Sequence, residues 1–137
     1  MTFIPIETSV GQLSGRDAIF LDNISFDYSK HKVTFKGEFN CSLCSNYLGN
    51  KDFILYELTF QKVYDFKMTE LDNYIEGDNV DQKSSFGFVE DSPLIKGIIK
   101  KVGKRLPMDS KHFILQTYDD VFDIVATDFE LKINATY

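Results

Sequence analysis

The feature that most constrains this chain is a regular alternation of large apolar and polar side chains, repeated in several separate stretches. Ile24, Phe26 and Tyr28 alternate with Ser25 and Asp27, and Val33, Phe35 and Phe39 alternate with Lys32, Thr34, Lys36 and Glu38. A period of two sends successive side chains to opposite faces of an extended strand, so one face can enter a core while the other meets water. Ser29 to His31 then read as the turn of a hairpin spanning Ala18 to Phe39. The alternation resumes at Ile54, Tyr56, Leu58 and Phe60 and restarts at Tyr64, Phe66 and Met68, as one long bent strand or two strands. Ser85 to Glu90 reads as a short strand, and Lys111 to Tyr118 turns at Asp119-Asp120 into Val121 to Ile133. Phe122, Ile124 and Ala126 have the opposite parity from Phe129, Leu131 and Ile133, which requires a bulge or sharp bend near Thr127.

One segment switches to helical spacing. Ser92 suits an N-cap, because its hydroxyl can accept from an otherwise unpaired N–H, and Pro93 suits the first helical position. Leu94, Ile95, Ile98, Ile99 and Val102 form an apolar stripe that the core is expected to use. Lys100, Lys101, Lys104 and Arg105 crowd the C-terminal end, where cations suit the helix dipole, and Gly103 and Pro107 end the helix. With Lys96, these residues read as the solvated end of a helix rather than as a nucleic-acid patch. The expected architecture is mainly β: an antiparallel sandwich or partly open barrel of seven to nine strands, with one covering helix near residues 92–102. The 137 residues fit a single domain over positions 1–137, and the 13 Phe and 7 Tyr residues supply bulky core material.

Charge narrows the functional classes. The chain carries 15 basic and 21 acidic residues, a net of −6, which disfavours nucleic-acid phosphates and suits a cationic partner. The N-terminus, Met-Thr-Phe-Ile-Pro-Ile-Glu, lacks a charged segment followed by a long apolar one, and no apolar run approaches the roughly 20 residues of a membrane span. Together with a cysteine count of two, this makes a cytoplasmic protein with reduced thiols and no membrane partner the expectation.

The chemistry-bearing residues are sparse. Cys41-Ser-Leu-Cys44 offers two ligands where structural zinc needs four, and only His31 and His112 remain to complete a set. The pair also follows a strand and enters a loop, whereas a redox-active pair should open a helix. No glycine-rich phosphate loop occurs. His112 would need an orienting partner and a nucleophile to act as a base; Asp119, Asp120 and Asp123 are near in sequence, but no Ser or Cys pattern points at them. His112 therefore reads as a structural or surface residue. No catalytic residue, metal or cofactor is expected, and the chain reads as non-enzymatic.

The acids are more informative. Asp65 to Asp81 holds six acids and one lysine, and Asp119 to Glu130 holds five acids and no base. If the two segments meet in space, they make a negative surface that steers a basic protein into contact. Asp72, Tyr74, Glu76, Asp78, Asp81, Tyr118, Asp119, Asp120 and Asp123 are the candidate partner-binding residues.

Phe53-Ile-Leu-Tyr-Glu-Leu-Thr-Phe-Gln-Lys-Val, Ser84-Ser-Phe86, Val89-Glu-Asp-Ser92 and His112-Phe-Ile-Leu-Gln-Thr-Tyr-Asp-Asp-Val-Phe-Asp-Ile-Val-Ala126 resemble a group of small bacterial proteins. That group is similar to the immunity proteins that bacteria keep beside polymorphic or contact-dependent toxins. The resemblance spans roughly Phe53 to Leu131 and brings no catalytic motif. It implies a cytoplasmic inhibitor that binds a basic toxin, for example a nuclease, and covers its active site. The alternative left by the residues themselves is a small-ligand-binding β-domain whose Phe and Tyr rings line a cavity.

Overall fold

The computed structural model describes residues 1–74, 84–102 and 106–134. It contains nine strands and one α-helix: β1 (Thr2–Pro5), β2 (Ile19–Asp27), β3 (Lys32–Asn40), β4 (Phe53–Gln61), β5 (Asp65–Glu70), β6 (Phe86–Glu90), α1 (Pro93–Val102), β7 (Lys111–Gln116), β8 (Asp120–Ala126) and β9 (Asp128–Asn134). The strands form two antiparallel sheets, ordered β1-β6-β7-β8-β5 and β2-β3-β4-β9. The sheets pack face to face as a sandwich. Phe35, Phe39, Ile54, Leu58 and Phe60 of the four-stranded sheet share one core with Phe86, Phe113, Leu115, Phe122 and Ile124 of the five-stranded sheet.

The parity change near Thr127 has a simple cause. The chain leaves one sheet and enters the other there, and the two inner faces point in opposite directions. The same happens between β4 and β5, where Lys62 takes a left-handed turn (φ 51°). The two crossings lie side by side: Thr127 N–H donates to the Gln61 carbonyl at 3.1 Å. β4 and β9 thus pair in one sheet and continue as β5 and β8, which pair in the other. The Phe53–Met68 alternation therefore belongs to two strands in different sheets. β1 was not legible as a strand: it is four residues long and ends on Pro5, yet it completes the edge beside β6.

The core is filled with rings. Phe35 and Phe122 lie 5.0 Å apart edge to face, Phe60 and Phe113 5.3 Å apart, and Phe86 and Phe129 5.2 Å apart. These are the tilted and edge-on arrangements that the ring quadrupole favours.

The five-stranded sheet is also covered on its outer face. Phe3, Val89, Ile114 and Val121 form a second, smaller cluster there, with Leu71 and Tyr74 packed on it. β7 and β8 are accordingly buried on both faces, as central strands between two layers are. Helix α1 belongs to this outer layer but contributes less than its stripe promised. Leu94, Ile95 and Ile98 are only half-buried, and Ile99 is 48% exposed. The expectation that the core uses this face is corrected for Leu94, Ile95, Ile98 and Ile99, none of which belongs to the inter-sheet core; the side chain of Val102 lies outside the described residues. No described helix is long and apolar enough to cross a membrane.

Candidate functional site

Two places gather the residues that chemistry would use. The first lies under the start of α1. β6 ends at Glu90, Asp91 adopts a left-handed conformation (φ 56°), and Ser92 opens the helix. As its sequence position implies, the Ser92 hydroxyl caps the helix, accepting the Ile95 N–H at 3.3 Å. The same hydroxyl lies 2.7 Å from Nδ1 of His112 on β7. Nε2 of His112 lies 2.6 Å from Oδ1 of Asp123 on β8. The Tyr74 hydroxyl donates to the same carboxylate oxygen at 3.1 Å.

Strand register makes the chain of contacts possible. His112 stands opposite Val125 and Asp123 opposite Ile114, so the two polar residues are diagonal neighbours on the outer face. A carboxylate can only accept, so Nε2 donates to Asp123; in the neutral tautomer Nδ1 accepts the serine proton, and in the imidazolium it donates to the hydroxyl. Serine hydroxyl, imidazole and carboxylate stand in the order used by nucleophilic hydrolases. Their burial argues for a different role. Ser92 is 4% exposed, His112 5% and Asp123 0%, so little of any of them reaches the surface, and the serine hydroxyl is already engaged by the Ile95 N–H. The trio ties the helix cap to two central strands.

The sequence missed this set because Ser92 had a sufficient role as a cap and stands 20 residues before His112. The usable signal was three polar residues in otherwise apolar surroundings: Asp123 within Val-Phe-Asp-Ile-Val, His112 before Phe-Ile-Leu, and a serine between strand and helix. Asp123 retains one buried oxygen, Oδ2, without a hydrogen-bond partner among the described residues.

The second place is acidic. Glu70 pairs with Asp120 across β5 and β8, and Leu71 N–H donates to the Asp119 carbonyl at 2.9 Å. The two acidic segments therefore meet at one end of the five-stranded sheet. Asp72 is exposed in the short turn Leu71–Asn73, Asp119 is exposed, and Asp120 is half-buried. The bend from β7 to β8 is closed by Thr117, whose N–H donates to the Asp120 carbonyl at 2.8 Å. It presents Tyr118, 40% exposed and stacked on Phe20 at 5.4 Å. The Arg16 guanidinium lies 4.8 Å above the Tyr118 ring and its Nε donates to the Tyr118 carbonyl at 3.0 Å. Tyr118 is thus an aromatic surface residue held on both sides.

The structure redistributes the predicted partner-binding residues. Asp72, Tyr118, Asp119 and Asp120 form one rim with Glu70. Asp123 is corrected: it is fully buried and bonded to His112 and Tyr74, because its position on β8 faces the covered side of the sheet. Tyr74 is half-buried over that cluster and its hydroxyl is committed to Asp123. Glu76, Asp78 and Asp81 lie outside the described residues.

The remaining candidates are the cysteine pair and the surface grooves. Cys41 and Cys44 are buried and unbridged at a short turn after β3. Burial raises both thiols, Cys44 to about 11, which holds them in the protonated form at neutral pH. Among the described residues no three His, Cys, Asp or Glu side chains group as a metal site. An open groove of about 210 Å³ runs past Phe26, Tyr28, Val63, Tyr64 and Phe66. Two wider depressions are as open: one of about 390 Å³ between Tyr64, Asp65 and Leu94 and Ile98 of α1, and one of about 440 Å³ beside Cys41, Tyr47 and Phe53. No protein-family model matches the chain, and comparison with curated proteins and with solved structures gives no match.

Proposed function

We propose that this chain is a non-enzymatic binding protein that neutralises a basic toxin by direct contact, as bacterial immunity proteins do. The observation that carries the reading is the acidic rim. Segments about fifty residues apart in sequence bring Glu70, Asp72, Asp119 and Asp120 together around a rigidly held tyrosine. Like charges gathered at one end raise the encounter rate with a cationic surface, and a desolvated tyrosine supplies the short-range energy. The low exposure of Ser92, His112 and Asp123, with the serine hydroxyl already engaged in capping α1, weighs against hydrolysis.

The test is capture of a partner on the purified protein from the lysate of its own bacterium, followed by binding measurements on the recovered pair. The reading expects one stoichiometric basic protein whose toxicity the chain suppresses, with association slowing as salt is raised. Charge reversal at Asp72 and Asp119 should slow association, and Tyr118→Ala should weaken the complex by about 2 kcal/mol, the level of an interface hot spot. A recovered partner whose affinity ignores all three substitutions would sink the rim as the binding surface, and a partner that is not a toxin would sink the immunity role.

A further inference from the structure

Helix α1 is ten residues long, and none of its described side chains is buried. A helix of that length is marginal in water and normally gains its stability by packing an apolar stripe. Here the stripe is little used. Leu94, Ile95 and Ile98 are half-buried and Ile99 is 48% exposed. Leu94 and Ile98 line the open depression of about 390 Å³ shared with Tyr64, itself 45% exposed. The Ser92 cap and its bond to His112 fix the start of the helix on the sheet.

Charge is segregated in the same place. Between Ser92 and Met108 the sequence holds five bases and no acid, while the rest of the chain holds ten bases and 21 acids. Lys96, Lys100 and Lys101 are exposed on the helix, so its surface carries cations only. The acids nearest in the chain, Glu90, Asp91 and Asp109, flank it, and Asp91 is taken up by Lys96 at 2.6 Å. Asp65 of β5 lines the depression together with Lys101. Strand register places this surface at the far end of the sheet from the acidic rim. Glu70 pairs with Asp120 at the rim, whereas Asp65 and His112 both pair with Val125, roughly 17 Å along β8 at about 3.4 Å per residue. The molecule is thus polarised, with its acidic rim at one end and a lysine-bearing helix at the other.

We infer that α1 is an interfacial helix that seats the protein on a bilayer surface rich in anionic phospholipid. Ile99, with Ile98 and Leu94, enters the boundary between headgroups and acyl chains, and Lys96, Lys100 and Lys101 meet the lipid phosphates. Composition separates a bilayer from an acidic protein as the occupant. Protein interfaces are enriched in Tyr, Trp and Arg and depleted in lysine. This face is aliphatic and its described cations are all lysine, the combination an interfacial helix uses. Such a helix lies in the surface and needs no spanning length, so the shortness of the apolar runs does not bear on it. Seating at this end leaves the acidic rim facing away from the bilayer, and the inference holds whether or not a toxin binds there.

The experiment mixes the full chain with vesicles of phosphatidylglycerol and phosphatidylcholine in equal parts, and with vesicles of phosphatidylcholine alone. Cosedimentation at physiological salt measures partition, and amide hydrogen exchange locates the contact. Partition onto the anionic vesicles is expected to be stronger by about tenfold or more, with exchange slowed within 93–102. Ile99→Ser, and separately the pair Lys100→Gln and Lys101→Gln, should each lower it by about fivefold or more. All three positions are exposed, and an unchanged urea midpoint shows that each variant still folds. The pair Lys30→Gln and Lys62→Gln removes the same charge elsewhere on the surface and should leave partition within about twofold. No binding to the anionic vesicles, or equal partition onto both kinds, would overturn the inference. So would an equal loss from the Lys30 and Lys62 pair, or indifference to Ile99→Ser, since either would mean that charge alone is at work. Binding to polyglutamate as tight as to the anionic vesicles would assign the helix to an acidic protein and overturn the bilayer as its occupant.

Discussion

The two faces of the five-stranded sheet are built from the same strands by opposite means. The inner face carries Phe86, Phe113, Leu115, Phe122 and Ile124 against the rings of the other sheet. The outer face places Ser92, His112, Asp123 and Tyr74 among Phe3, Val89, Ile114 and Val121. Shape and volume hold the inner face together, and a misfit there is a cavity. The outer face depends on a set of hydrogen bonds in which each buried polar atom needs its partner, so an error leaves a charge or a donor stranded. The inner face should therefore respond to the volume removed, and the outer face to whether a pair is broken or replaced whole.

The largest effect tests the inner face. Phe60 is fully buried and touches Phe35, Phe86, Phe113 and Phe129. Phe60→Ala is expected to lose about 3–5 kcal/mol, because the four rings around it cannot all collapse into the space. Urea unfolding at unchanged slope measures it. A loss below about 1.5 kcal/mol would mean that the sandwich repacks freely and that the ring geometry is not what holds it.

The contrast also explains what the sequence shows and what it hides. Apolar side chains write their burial into a period, so the strands around Phe35, Phe60 and Phe113 and the helix from Pro93 are readable directly. The parity break at Thr127 is readable as a bend, but that the bend changes sheets follows only from pairing with Gln61. Polar residues in a buried chain carry no period. Asp123 looks like one acid in an acidic stretch, and only register with β7 turns it inward beside His112. The rim was half legible: composition located both acidic segments, while their meeting depends on β5 pairing with β8.

The next effect separates breaking from replacing. His112→Leu removes the ring that bonds Asp123 and leaves a buried carboxylate with the Tyr74 hydroxyl alone, at an expected loss of about 3–5 kcal/mol. Adding Asp123→Leu should recover most of that loss, since two apolar residues of similar volume need no partners. The double variant is expected within about 1–2 kcal/mol of the parent. A double variant less stable than His112→Leu alone would show that the polar chain stabilises the fold in its own right, and the contrast between the faces would fall.

The smallest effect asks how the outer face shares its hydrogen bonds. Tyr74 places its ring on the outer cluster and its hydroxyl on the Asp123 oxygen that His112 also uses. Tyr74→Phe keeps the ring and removes one of two donors, so the packing term is unchanged and the expected loss is about 1–2 kcal/mol. The substitution should also add little once Asp123 is leucine, because the bond it removes is already gone. If Tyr74→Phe matched His112→Leu in cost, the tyrosine would be the principal support of the carboxylate. The histidine would then serve chiefly the Ser92 cap, which locates the sensitivity of the outer face in the chain segment beyond β5 rather than between β7 and β8.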